Sequence, residues 1–249
     1  MSVTMQPYIG SGILYLGKKG SGLSDRGNVS QLELSTTEDK KTQQNFRGGG
    51  GNYDATSQIT DVTVNITFND FTPENLELTL RGTITDVAAG TVTSEEHTVY
   101  TDAMTPLDYI PDFTDAANTV TVTIDPAGTA TPAVQGTDYD LTDQGIKPIS
   151  GGGISDGDTI GVDYTKLAST IVEALMTSAQ EYEGYFEGRN DAQNGKAMGL
   201  RLNRIKFGAP QNVSLIGADY GSLQVQADVL YDSVAVAAGK TPYFEMSML

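Results

Sequence analysis

The residue best suited to chemistry is His97, the only histidine of the 249-residue chain, which lies in the run EEHTVY (95–100). An imidazole beside carboxylates can act as a general base or bind a metal. The chain has no cysteine, which excludes thiolate metal sites, disulfides and cysteine nucleophiles. Without a second histidine to join it, we expect His97 to be a solvated or interface residue at the start of a strand. We expect no metal site and no bound cofactor.

Two aspartate runs and one glycine run are the next candidates for a metal-binding or phosphate-binding site. The runs DYDLTD (138–143) and DGD (156–158) are reminiscent of calcium loops, but Thr142 occupies a ligand position and no glutamate closes the loop. Turn-forming aspartates explain both runs better. The run Gly48–Gly51 lacks the Lys-Ser/Thr pair of a phosphate-binding loop.

The charge of the chain limits its partners. Lys and Arg number 15 and Asp and Glu number 32, so the formal net charge is −17. Such a chain does not hold nucleic acid by neutralising phosphates. No segment approaches the roughly 18 consecutive apolar residues of a membrane helix, so no membrane partner is expected. These features favour a structural or binding protein over an enzyme.

Strands are the elements that must position these residues, because apolar and polar residues alternate in many short runs. In Asp61–Phe68 the even-numbered residues are apolar and the odd-numbered ones are polar. Ser222–Tyr231 repeats this pattern with Gln224, Gln226 and Asp228 facing water. Shorter alternating runs are 31–35, 119–124, 159–164 and 199–207. A change of phase near Arg204 predicts a bulge in the last of these.

One short helix is predicted over residues 72–82. Thr72 can cap it, Pro73 suits its first turn and Gly82 suits the position after its last residue. Leu76 and Leu80 would form its apolar stripe. We expect strands across 170–189.

The remaining pattern predicts a mainly β chain with two parts. Residues 1–89 and 165–249 are expected to form the main sheet system, and residues 90–164 an additional β subdomain. Lys40–Ile59, which contains four consecutive glycines, is expected to be a long loop that is mobile in the free subunit.

Seven segments spread over nearly the whole chain carry a resemblance to a known family. They are YIGSGILYL (8–16), GNVSQLELS (27–35), FTPENL (71–76), GTDYDL (136–141), ISDGDTIGVDY (154–164), FEGRN (186–190) and GSLQVQA (221–227). Together they resemble the tail tube protein, or major tail protein, of long-tailed bacteriophages. The 90–164 subdomain departs from the simpler tube proteins.

The resemblance implies a structural virion protein without catalysis. Such subunits have a β-sandwich or partial-barrel core, which the resemblance assigns to residues 1–89 and 165–249. They close into hexameric rings, and the rings stack into a tube that conducts DNA during ejection without binding it specifically. The implied partners are further copies of the chain, a tape measure protein and a tail terminator protein. The implied location is the virion tail, after assembly in the host cytoplasm.

Strand parity supplies candidate residues for the lumen of such a tube, although a register error of one residue would reverse that set. Basic residues that could reach the acidic face of the next ring are the candidates for contacts between rings. The candidates facing the lumen are Glu33, Ser35, Asp61, Thr63, Asn65, Thr67, Gln224, Gln226 and Asp228. The candidates for contacts between rings are Lys18, Lys19, Lys40, Lys41 and Arg47.

Two alternatives remain open. The first is a virion-surface or carbohydrate-binding β-sandwich, whose aromatic platform would use Tyr182, Tyr185 and Phe186. The second is a glycoside hydrolase whose carboxylate pair would come from Glu181, Glu183 and Glu187. These glutamates alternate with apolar residues, so the solvated face of a strand is the simpler interpretation.

Overall fold

The computed structural model of the protein describes residues 7–115, 118–178, 180–210 and 212–249. Its strands are β1 (Gly10–Lys18), β2 (Ser24–Asp25), β3 (Val29–Gln44), β4 (Asn52–Phe68), β5 (Thr83–Val87), β6 (Gly90–Thr98), β7 (Thr105–Pro106), β8 (Thr121–Ile124), β9 (Thr131–Pro132), β10 (Tyr139–Thr142), β11 (Gly145–Pro148), β12 (Thr159–Lys166), β13 (Ser169–Glu173), β14 (Glu181–Asn190), β15 (Lys196–Phe207), β16 (Asn212–Val213), β17 (Leu223–Val229) and β18 (Phe244–Met248). The helices are α1 (Pro73–Leu80), α2 (Ser233–Ala237) and a 3₁₀ turn at Asp191–Gln193. The chain is therefore mainly β, as the alternation predicts. Among the described residues, no helix has the length and apolar content that a membrane crossing requires.

The chain divides into two units. Unit 1 contains the chain up to Ile84 and from Val172 onward, and unit 2 is Thr85–Ile171. Unit 2 contains the 90–164 segment that the sequence sets apart. Strands β5 and β13, where the chain passes between the units, pair with each other.

Unit 1 is built on one large antiparallel sheet. Its strand order is β2-β1-β14-β15-β17-β4-β3, with β16 beside β17 and β18 beside β15. Tyr182 pairs with Ile205 and Gly184 with Leu202, so β15 carries one extra residue there. This confirms the bulge predicted near Arg204.

An apolar core lies on one face of this sheet. The even-numbered residues of β4, from Val62 to Phe68, are buried together with the odd-numbered residues of β17. Leu14 and Leu16 of β1 join the same cluster, and Leu32 of β3 packs against it. Strands from both ends of the sheet order thus share one core, which requires the sheet to curve.

Helix α1 confirms its predicted start but corrects its predicted end. The Thr72 hydroxyl accepts a hydrogen bond from the backbone N–H of Asn75 at 3.2 Å, as a cap should. The left-handed residue that ends the helix is Arg81, with φ of 52°, and not Gly82. The buried side chains are Asn75, Leu78 and Thr79, whereas Leu76 and Leu80 are only half-buried.

A second short helix corrects the prediction of a single one. The Asp232 carboxylate accepts hydrogen bonds from the backbone N–H groups of Val234 at 2.9 Å and Ala235 at 3.4 Å, which caps α2. With five residues, α2 is too short to show a helical period in the sequence.

The segment expected to be a long loop is instead a paired hairpin, which corrects that prediction. Strands β3 and β4 pair from Val29 and Phe68 out to Gln44 and Asn52, so only residues 45–51 connect them. Residues 35–44 and 52–61 are exposed on both faces, and we call this part of the hairpin the arm. Asn45 organises its tip: the side-chain amide donates to Gly48 O at 3.0 Å and accepts from Arg47 N–H at 2.9 Å.

Unit 2 has its own core between two small antiparallel sheets. The sheets have the orders β6-β12-β8-β9 and β10-β11-β7. The core side chains are Val99, Val122, Tyr139, Ile146, Ile154, Ile160, Val162 and Tyr164.

Candidate functional site

The predicted lumen residues come together on one face of unit 1, opposite its apolar core. Residues that pair across neighbouring strands share a face. Three rows cross β3, β4 and β17 in this way. They are Gln31–Thr67–Gln224, Glu33–Asn65–Gln226 and Ser35–Thr63–Asp228, and Asp61 lies one step further along β4. We call this surface the polar face.

Two members of the polar face are less accessible than the sequence predicts. Thr63 is 9% exposed and Thr67 is 8% exposed. The Thr67 hydroxyl donates a hydrogen bond of 3.0 Å to the side-chain oxygen of Gln31. The accessible surface therefore comes mainly from the longer neighbours, which surround a shallow depression of about 370 Å³ near Asn65.

The charge of the polar face is negative over β3, β4 and β17. Glu33, Asp61 and Asp228 are acidic. The other residues of the three rows are neutral. Lys206 of β15 lies opposite Asp228 at the margin. A surface of acids, amides and hydroxyls repels phosphate and offers it little to bind.

The five predicted basic contacts do not form one group. Lys18 lies 3.1 Å from the Glu77 carboxylate and Lys19 lies 2.5 Å from that of Asp232, so both are paired within the chain. Lys40, Lys41 and Arg47 lie on the arm and its tip, where their residues are exposed.

The three glutamates considered for glycoside hydrolysis lie along β14. The Glu181 carboxylate accepts a hydrogen bond from Arg204, which holds the pKa of Glu181 below its usual value. Glu187 Oε2 lies 3.5 Å from the hydroxyl of Tyr15. The cleft of about 320 Å³ beside β14 is lined by Glu183 but by neither Glu181 nor Glu187, so it does not bring two of these carboxylates together as an acid and a base.

The aromatic platform of the carbohydrate-binding alternative is not present as predicted. Tyr182 is 7% exposed and packs edge-to-face on Phe207 with ring centroids 5.3 Å apart. Phe186 also packs against the core, whereas Tyr185 lies on the other face of β14 because strand residues alternate. The three rings therefore cannot form one flat surface.

The aspartate runs serve turns, as expected. Asp138 accepts backbone N–H bonds from Val134 and Gly153, both at 2.7 Å, and these bonds lower the pKa of Asp138. Asp156 accepts bonds of 2.7 Å from the hydroxyl and the backbone N–H of Thr101.

His97 is placed differently from the prediction. It is the penultimate residue of β6, near the end of that strand and not its start. Its Nε2 lies 2.6 Å from Glu95 Oε1, and its side chain is 18% exposed. Burial raises the pKa of Glu95, but hydrogen bonds from Tyr164, the Asp108 N–H and His97 outweigh burial and leave that pKa below its usual value.

Comparison with known proteins gives one match. Residues 7–247 match the family described as Protein of unknown function UCP028589. The chain belongs to this family. The match spans both units, including the polar face, the arm and His97. No curated protein matches the chain.

Sequence reasoning missed one prominent surface of this UCP028589 member. A cleft of about 520 Å³ opens beside β3 and is lined by apolar side chains such as Leu14, Leu32, Leu34, Phe186 and Leu200. Alternation marks these residues as core-facing, and it gives no signal that the core opens between β1 and β3.

Proposed function

We propose that the chain is the tail tube subunit of a long-tailed bacteriophage, a structural protein that has no catalytic role. Copies of it close into hexameric rings, and stacked rings form a conduit for DNA. The observation that carries this proposal is the polar face: an acidic, amide-rich surface on a curved sheet whose last strand, β3, has no partner on its outer edge among the described residues.

The free edge of β3 supports edge-to-edge assembly. β3 has 16 residues and pairs only with β4 among the described strands. Long unpaired edges are normally blocked or covered, and closure of a sheet into a ring removes them. The apolar cleft next to β3 adds surface that a neighbouring copy could bury. The curved sheet would then act as a partial barrel, one segment of a continuous wall.

The charge supports a conduit and not a binding site for DNA. A bore lined by Glu33, Asp228 and the neighbouring amides would release no counterions from DNA, so DNA would slide without being held. The net charge of −17 gives every copy the same sign. Burial between copies must therefore outweigh repulsion, and the basic residues of the arm are placed to reduce it.

The arm is the proposed contact between rings. Lys40, Lys41 and Arg47 are exposed and would meet acidic surface of the next ring. Lys18 and Lys19 are engaged within the chain and take no part in this proposal. In the virion tail, formed in the host cytoplasm, the tube would enclose a tape measure protein and end at a terminator protein.

Electron microscopy at rising protein concentration tests this function. We expect rings or tubes with a central hole, together with a concentration-dependent rise in mass by light scattering. A purified full-length chain that stays monomeric at all concentrations would contradict the proposal. So would a bore lined by lysine and arginine in a reconstruction of the assembly.

A further inference from the structure

A cluster of three side chains in unit 2 lies far in sequence from any residue of the proposed tube function. Glu95, His97 and Asp108 each place a potential ligand atom within 4.8 Å of the other two. Glu95 and His97 share a face of β6, because residues two apart on a strand point the same way. Asp108 comes from the segment after β7, so only the fold brings it to the pair.

The geometry points to a binding site for a first-row divalent cation, with Zn²⁺ as the best probe, formed by Glu95, His97 and Asp108. His97 Nε2 and Glu95 Oε1 lie 2.6 Å apart, which is a hydrogen-bond distance. The two atoms therefore already converge, and an ion that replaces the shared proton would move them slightly apart. An imidazole nitrogen with carboxylate oxygens is a donor set that zinc accepts readily. Asp108 is exposed, which leaves the third side open for metal entry and for water.

The charge balance of the cluster favours a cation. The side chain of Glu95 is 8% exposed, and hydrogen bonds from the Tyr164 hydroxyl, the Asp108 N–H and His97 stabilise its ionised form. The cluster therefore carries the negative charge of two carboxylates. In the described part of the chain, no lysine or arginine forms an ion pair with Glu95 or Asp108. His97 can balance at most one of these two charges, whereas a divalent ion balances both while the imidazole stays neutral.

The surroundings orient the ligands. The Tyr164 hydroxyl donates to Glu95 Oε2 at 2.5 Å, and the Asp108 backbone N–H donates to Glu95 Oε1 at 2.8 Å. Carboxylate ligands of metals are commonly fixed by such outer hydrogen bonds. Glu95 is therefore already held in position when the ion arrives, and binding would fasten the segment around Asp108 to β6.

The single histidine of the chain makes the test direct. In full-length protein labelled at histidine and stripped with a chelator, NMR shows the ring signals of His97 alone. We expect one equivalent of Zn²⁺ to shift these signals to a new position and to raise the midpoint of thermal unfolding. Calorimetry should show one site per chain above the weak background that a highly acidic protein gives.

Three variants separate this site from ordinary surface binding. Tyr164→Phe, which removes an outer hydrogen bond, should weaken Zn²⁺ binding roughly tenfold, and Asp108→Asn and His97→Gln should weaken it further. Glu96→Gln, on the opposite face of β6, is the matched control and should bind as the wild type does. Asp108→Asn keeps its backbone N–H, so its fold should be intact.

Two results would overturn the site. One is that Zn²⁺ leaves the NMR signals of His97 unmoved, because the imidazole would then not be a ligand. A shift caused by Ca²⁺ but not by Zn²⁺ would have the same meaning. The other is an Asp108→Asn variant with wild-type affinity. Neither result bears on the tube proposal, because the assembly test depends on unit 1 and uses no metal.

Discussion

The negative charge of single residues on the polar face decides whether DNA would pass or bind. Glu33 and Gln226 lie in one row on either side of Asn65, so two lysines there would concentrate positive charge on the polar face. We expect the double variant Glu33→Lys, Gln226→Lys to assemble and to retain DNA, with an affinity that falls as salt rises. Filter binding at several salt concentrations measures this.

The control for that variant puts the same two charges elsewhere. Glu96 and Gln144 are exposed residues of unit 2, outside both the polar face and the arm. Lysines at these two positions change the net charge by the same amount as the polar-face variant does, but they should not trap DNA inside a tube. Equal retention by both variants would show that total charge, and not the bore, governs the interaction.

A second prediction for single residues concerns acid stability through Asp138. Its two oxygens accept one backbone N–H each, so the pKa lies below the ordinary 3.8. A lowered pKa means that the ionised form stabilises the fold at all pH values above about 4, and that this contribution is lost as the pH falls through the lowered pKa. Asp138→Asn should lower the unfolding midpoint at pH 7 by a few degrees, and the difference should shrink near pH 3.

Asp140→Asn is the matched control for Asp138, because Asp140 is an exposed aspartate two residues away in β10. Thermal unfolding followed by circular dichroism should give nearly the wild-type midpoint for this variant at both pH values. A difference for Asp138→Asn that is equally large at pH 3 would contradict a role for its charge.

At the scale of elements, the arm explains what the sequence could and could not predict. Strand β4 was predictable from Val62 to Phe68 because one face is buried and alternation follows burial. Its outer half, from Asn52, is exposed on both faces, so no apolar period marks it. Its strand character comes from pairing with β3, which is a long-range property.

The same reasoning applies to other places where the structure differs from what the sequence predicts. Asp108 reaches Glu95 through the path of a loop, which no local pattern encodes. Arg81 takes the left-handed position one residue before the glycine that the sequence favours. By contrast, the bulge near Arg204 was predictable because a change of phase is itself a local pattern.

Removing most of the arm tests whether it forms the contact between rings. Glu38 pairs with Ile59, so replacing residues 39–58 by Asn-Gly should close a short hairpin on the remaining ladder. The removed residues contribute nothing to the core, and we expect the free energy of unfolding to stay within roughly 1 kcal/mol of the wild type. Assembly, followed by light scattering and microscopy, should be lost. Tubes formed by this folded but shortened chain would exclude the arm as the contact between rings.

At the scale of the whole molecule, the charge of −17 sets how assembly should depend on salt. Copies of one sign repel each other, and salt shortens the range of that repulsion from about 10 Å at 0.1 M to about 3 Å at 1 M. Burial of apolar surface is not screened in this way. We therefore expect light scattering from the pure protein to rise with NaCl concentration.

Attraction by Lys40, Lys41 and Arg47 works in the opposite direction, because salt also weakens contacts between basic groups and carboxylates. Fifteen basic residues are outnumbered by 32 acidic ones, so screening of repulsion should dominate. Replacing Lys40 and Lys41 by glutamine should reduce assembly most at low salt, and the deficit should narrow as NaCl rises. Assembly that dissolves on adding salt would show instead that ion pairs, and not buried apolar surface, hold the copies together.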